Sequence, residues 1–255
     1  MTAIWMIAQN TFKENMRNRV MGVILIFAVS LIVLSSIISQ WSLDQQVKIL
    51  KDFGLAAISL FGLLMAMFVG VRTFYQEIER KTIYMLASKP IDRWQIILGK
   101  YAGLAATILL NVFAISTTLF LVNYFVERAF DWHLLPAILL ICLEIFLVIA
   151  WAIFFSTVTS SLMSSILTFF IFVMGHLAPD IMLYTKIHPH SSINPVLKVL
   201  HAIVPNLENF NIKTAVVEGL PLPPHAVSYA ILYGMAYVAV MLMITAFIFE
   251  KKDLK

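Results

Sequence analysis

The sequence predicts an all-α integral membrane protein of six transmembrane helices with both termini on the cytoplasmic side. Three observations predict it. Of 255 residues, 61% are hydrophobic and 13% charged, with a mean hydropathy of +0.90; soluble domains carry roughly a quarter charged residues, and a water-facing surface of this size needs them. Six stretches, 20–38, 54–71, 101–126, 134–157, 162–183 and 226–249, reach or approach the about 20 apolar residues that cross a hydrocarbon core. Finally, twelve Lys and Arg fall in the segments assigned inside and six in those assigned outside, which sets the orientation. The whole chain reads as a single six-span domain.

Taken in order, residues 1–19 form an amphipathic leader. Ile4, Trp5, Ala8, Phe12 and Met16 share one helical face, with Gln9, Asn10, Lys13, Glu14 and Arg17 opposite. Asn15 and Arg19 interrupt the apolar face. The leader is expected to lie in the cytoplasmic interface as an elbow, with Trp5 and Phe12 in the acyl boundary. Its polar length and the five spans after the first argue against a cleaved signal peptide. The second span, LAAISLFGLLMAMFVGV, is near the minimum length. The fifth is interrupted at its outer end by Gly175, His176, Pro179 and Asp180.

Between spans two and three lies a charged island, EIERKTIYMLASKPIDRWQIILGK, in the cytoplasmic loop 72–100. Phe74, Ile78, Met85 and Leu86 recur at helical spacing. Glu77 and Lys81 stand in the favourable i,i+4 order. A short amphipathic helix over 74–88 is expected, ended by Lys89-Pro90. Asp92 then supplies an N-cap, with Gln95 three residues on, for the helix that becomes span three. Trp94 and Lys100 suit the interface level. Helix, turn and helix held between two spans form a docking surface for a cytoplasmic partner. Charge placement by topology alone accounts for the six basic residues but not for Glu77 and Glu79.

Within the membrane, Glu144 sits near the middle of span four, where an ionisable group is costly and faces a bundle interior or a pathway. Asn111, Ser116, Thr117 and Thr118 of span three are its candidate hydrogen-bond partners. Asn111, Glu144 and His176 are the candidate pathway residues. All six histidines fall on the outer side or in the outer membrane half. His188-Pro189-His190 is the weak candidate for metal binding, but no CxxC or HExxH spacing accompanies it. The methionines lie mostly within apolar spans and read as packing residues, as does the lone Cys142. The outer loop 184–225 is long for a span connector and reads as an outer lid, a docking surface or a packed cap.

Several functions are excluded by pattern. The basic residues are scattered between apolar spans, so the net charge of +4 does not make a nucleic-acid surface. The only Gly-Lys, Gly99-Lys100, precedes Tyr101 and lacks the glycine-rich approach of a phosphate-binding loop. No Ser-His-Asp grouping stands out. The chain itself is therefore read as not an enzyme.

The island resembles the first cytoplasmic loop of ABC-2-type permeases. Glu77, Glu79, Lys81, Thr82, Pro90, Arg93, Gly99 and Lys100 stand at the matching positions. The N-terminal elbow, the six-span layout, the small polar turn STVTSSLMSS at 156–165 and the terminal Phe-x-Lys-Lys-Asp-Leu extend the likeness over nearly the whole chain. The resemblance implies that 72–100 carries a coupling helix seated on a separate ATPase. Two ATPase copies and two permease chains then form an exporter, placed in a bacterial inner membrane. It further implies that Glu77, Glu79, Arg80 and Thr82 belong to the ATPase contact, while Lys81, Pro90 and Arg93 shape the loop. ATP and Mg are expected on the partner, with no cofactor on this chain. Two other readings stand beside it: an ion- or proton-coupled carrier using Glu144, and a non-transporting membrane anchor that moves an extracytoplasmic partner.

Overall fold

The apolar runs fold as helices because a backbone in hydrocarbon must satisfy its own hydrogen bonds. A computed structural model describes residues 2–41, 45–79, 92–189 and 191–251; the side chains of 73–79 are not described. The helices are α1 (Thr2–Met16), α2 (Arg19–Ser39), α3 (Gln46–Glu79), α4 (Arg93–Glu127), α5 (Leu134–Val158), α6 (Ser161–His176), α7 (Ala178–Ile187), α8 (Asn194–Ile203), α9 (Lys213–Val217) and α10 (Ala226–Lys251), with a 3-10 turn at Leu207–Phe210 before α9. No strand occurs among the described residues. Among the described residues five helices, α2, α3, α4, α5 and α10, are long and apolar enough to cross a membrane.

The fifth span, expected as one continuous helix over 162–183, is not continuous. Helices α6 and α7 are bent by 55° at Leu177. Pro179 in the first turn of α7 has no N–H to offer α6, and Leu207 sits 2.6 Å from where a Cβ on Gly175 would stand. The cap residue thus occupies the space beside the last turn of α6.

Helices α3 and α5 are the most enclosed of the long helices, and α2 and α10 the least. α3 packs on α2, α4 and α5, and α5 packs also on α6 and α10. The 34-residue α3 begins well before the expected start at 54. Its first turns hold Lys48, Lys51 and Asp52, which hydropathy alone excludes from a span. Lys51 is accommodated because its Nζ lies 2.6 Å from Asp131 Oδ2 and 3.2 Å from Glu127 Oε2 at the far end of α4. This clamp joins the start of α3 to the end of α4, away from the charged loop.

Burial pushes the Asp131 carboxyl up, but the contacts from Lys51 and His133 outweigh it and hold the group below its ordinary value of 3.8. A depressed native value contributes stability that is fully present above the unfolded-state value and lost as pH falls through the native one. Asp131→Asn is therefore expected to lower stability at neutral pH by on the order of 2 kcal/mol, between exposed and fully buried pairs. The variant should also lose less than the parent on acidification below pH 4. Thermal unfolding in detergent across pH checks this; parallel curves for the two proteins would refute it.

The outer segment is a packed cap, not a free loop. Leu207 and Phe210 are fully buried, and Val204, Val216 and Val217 join the same core. Phe210 lies 3.0 Å from the Cβ position of Gly234 on α10. Tyr233 and Tyr237 tie the cap to α10 by hydrogen bonds: Asn206 N donates to the Tyr233 hydroxyl at 2.9 Å, and the Tyr237 hydroxyl donates to Ile203 O at 2.6 Å.

Candidate functional site

Two regions hold the chemistry that the sequence singled out: the inner end, where α3 enters and α4 leaves the charged loop, and a polar pair deep in the bundle.

At the inner end, α3 continues as helix through Glu77 and Glu79. Their side chains, together with Arg80, Lys81, Thr82 and Pro90, lie outside the described residues. Asp92 occupies the N-cap position of α4, as the pattern predicts, with extended backbone at φ −64°, ψ 141°. Its carboxylate does not cap an amide. Instead the Gln95 side-chain amide donates to Asp92 Oδ2 at 3.3 Å, so the two expected residues meet side chain to side chain and neither bond of a capping box is made. Arg93 makes the long-range contact that local pattern reading misses. Its guanidinium donates to the carbonyls of Phe249, at 3.2 Å, and Glu250, at 3.1 Å. Those carbonyls belong to the last described turn of α10. The first residue of α4 is therefore tied to that part of α10.

The same two helices enclose an apolar groove of about 470 Å³ with α5, lined by Trp94, Tyr101, Phe146, Gly234, Val238 and Leu242 among others. Trp94 is half-exposed at its rim. Lys100, expected at the interface, is 1% exposed. Helix α4 begins at Arg93, so position 100 falls on its inward stripe with Ile96, Ile97, Gly103 and Thr107.

Helix α1 is docked on this end of α4. Its inward stripe is Ile7, Thr11 and Asn15, whereas Trp5 is 70% exposed and Met6 and Met16 also face outward. Asn15 therefore does not interrupt the outer face; it sits on the inner one. Close approach is permitted by two glycines one turn apart on α4. A Cβ on Gly99 would meet Ile7 Cβ at 2.8 Å, and one on Gly103 would meet the Ala8 carbonyl at 2.6 Å. That spacing of small residues was the available signal. Arg19 is not part of this helix: Asn18 caps α2, its side chain accepting from Val20 N at 3.0 Å, and Arg19 opens it.

Deep in the bundle, Glu144 is 1% exposed, and its Oε1 lies 3.3 Å from His176 Nε2. His176 Nδ1 faces the Phe172 carbonyl at 3.1 Å. A carbonyl only accepts, so Nδ1 carries a hydrogen, and Nε2 is the nitrogen that faces the carboxylate. The pair links α5 to the last turn of α6, where that helix bends. The span-three partners expected for Glu144 do not reach it. Asn111 Nδ2 donates to Thr107 O at 2.8 Å, Thr117 to Phe113 O and Thr118 to Ala114 O. Each back-bonds within its own helix. The Ser116 hydroxyl is buried without a hydrogen-bond partner among the described residues.

His188 stacks on Tyr184, ring centroids 4.6 Å apart, and its carbonyl accepts from the Asn194 amide; His190 lies outside the described residues. Among the described residues no three His, Cys, Asp or Glu side chains gather as a metal site.

A helical bundle with several membrane-length spans, few charges and its polar chemistry at one end and at the bundle centre defines a multi-pass membrane protein. The family model described as ABC-2 family transporter protein matches residues 5–254. The chain belongs to that family and is a transmembrane permease subunit. Membership implies work with an ABC ATPase partner. Comparison with curated proteins found no match.

Proposed function

We propose that this chain forms half of the translocation pathway of an ATP-driven exporter in a bacterial inner membrane. Two copies pair with each other and with two copies of a separate ATPase, which holds ATP and Mg and does the hydrolysis. The 72–100 loop is the seat for that ATPase. Glu77, Glu79, Arg80 and Thr82 make the contact, Lys81 and Pro90 shape the loop, and Arg93 passes its motion on. The observation that carries this reading is the Arg93 clamp. A force applied to the loop arrives at the first residue of α4 and, through the Phe249 and Glu250 carbonyls, at the end of α10. Those helices share the apolar groove, so relative motion of the two alters its width. A packed bundle carries such motion as a switch between discrete arrangements.

The docking role is tested by Glu79→Arg. Co-purification of the ATPase is expected to fall about tenfold or more, as for a charge reversal at a desolvated contact, with membrane insertion unchanged. Wild-type recovery of the ATPase would refute the assignment.

A second reading, in which the motor works on an extracytoplasmic partner without transport, is favoured by the cap. Leu207 and Phe210 are built into the bundle core, so motion of α6 or α10 reaches the outer surface directly. ATP hydrolysis that requires an extracytoplasmic partner while no substrate crosses the membrane would favour it. The carrier reading rests on the buried Glu144–His176 pair, which joins α5 to α6; loss of transport in Glu144→Gln without any ATP dependence would favour it.

A further inference from the structure

A second polar feature of the inner end has no part in the reading above. Where α1 ends and the chain turns into α2, Glu14, Arg17, Asn18, Arg19 and Arg72 surround a notch of about 360 Å³. We propose that this notch binds the phosphate headgroup of an anionic phospholipid from the leaflet on the N-terminal side.

Three observations support a built site over a scatter of interface charges. Arg17 and Arg19 come from the α1–α2 turn, but Arg72 comes from α3, so the fold itself brings the three guanidiniums together. Among the described residues, no carboxylate pairs with any of them. Glu14 supplies one carboxylate against three cations, so the lining favours an anion over a zwitterion. The planar guanidinium is also the side chain best matched to phosphate oxygens.

Depth identifies the phosphate as a lipid's. Arg19 opens the apolar run of α2 and Arg72 closes that of α3. The notch therefore stands at the level where hydrocarbon gives way to headgroups. Outward apolar side chains continue from it along α2, with Val20, Val23, Ile26 and Phe27 all exposed. They offer a track for an acyl chain below the bound headgroup. Beside the notch, Met16 faces outward from α1. The positive end of the α2 dipole points into the same space.

The test uses the full-length chain in nanodiscs of mixed phosphatidylglycerol and phosphatidylcholine, with retained lipid counted by native mass spectrometry. Phosphatidylglycerol should be enriched around the parent. Arg72→Gln should lower that enrichment about fivefold, the effect of one basic side chain near an anionic surface, and the triple Arg17→Gln/Arg19→Gln/Arg72→Gln variant should abolish it. Arg72→Lys should restore only part, since it keeps the charge without the fork. Lys13→Gln, an exposed position of α1 outside the notch, should change nothing. Should the triple variant not yield folded protein by circular dichroism, Arg72→Gln alone decides on the same criterion. Unchanged enrichment in Arg72→Gln overturns the proposal, as does an equal loss in Lys13→Gln. Equal retention of phosphatidylcholine and phosphatidylglycerol by the parent overturns it too. None of these readouts depends on transport or on an ATPase.

Discussion

Arg93→Ala is expected to separate ATP hydrolysis from transport. The variant should still bind its ATPase, because the carboxylates proposed for docking, Glu77 and Glu79, are untouched, yet transport per ATP hydrolysed should fall at least tenfold. The reasoning is local. Arg93 donates two charge-assisted hydrogen bonds to the Phe249 and Glu250 carbonyls of α10. Hydrogen bonds to charged groups contribute about 1.5–3 kcal/mol each, so losing the pair weakens the joint between α4 and α10 by on the order of 3 kcal/mol. At 1.4 kcal/mol per tenfold, the joined state then becomes about a hundredfold less favoured. Arg93→Lys keeps a cation near the helix end but reaches one carbonyl at a time, and should retain part of the coupling. Reconstituted vesicles, with transport and hydrolysis measured on the same preparation, decide the matter. A wild-type ratio of transport to hydrolysis in Arg93→Ala would remove Arg93 from the transmission route.

Gly103→Leu is expected to displace α1 from the bundle. The nearest atom to the missing Cβ is a backbone oxygen, that of Ala8 at 2.6 Å, followed by Thr11 Cβ at 2.7 Å. Neither can rotate aside, so the helix as a whole must move. Overpacking of this kind costs about 1–3 kcal/mol, comparable to what holds a short helix in place. Amide hydrogen exchange over Thr2–Met16 should accelerate about tenfold or more, while α5 remains protected. Gly22→Leu makes the matched control, because nothing lies within 4 Å of its Cβ position. Equal protection of α1 in Gly103→Leu and the parent would show that the docking has slack the geometry does not suggest.

Much of the fold was legible because bilayer thickness acts on residues one by one: runs of apolar side chains become spans whatever their neighbours. Asp92 was legible as a helix start for the same local reason. What escaped depended on partners distant in sequence. Lys51 looks like a residue outside the membrane until Asp131 and Glu127 arrive from the end of α4 to neutralise it. Arg93 holds backbone carbonyls 156 positions away, and a carbonyl leaves no mark in the sequence. Glu144 was recognised as a group needing a partner. The residues proposed for it, however, carry hydroxyls and amides that prefer the carbonyl one turn back, and the histidine that meets it lies on a different helix. The inward face of α1 was missed because it is polar and small, Thr11 and Asn15, where an apolar stripe was sought. Its signature stood on the receiving helix, as glycines four apart. The island's own docking residues, Glu77, Glu79 and Arg80 to Pro90, have side chains outside the described residues, so their roles rest on the family and on the charge pattern.

The cap carries one consequence for biogenesis. Its Phe210 rests on Gly234 and its backbone is fastened by Tyr233 and Tyr237, all on α10. Residues 204–217 precede that helix in the chain, so they are synthesised before the surface they rest on exists. The cap stays unsupported until α10 is in place, and that helix is its closing stitch as well as a wall of the bundle.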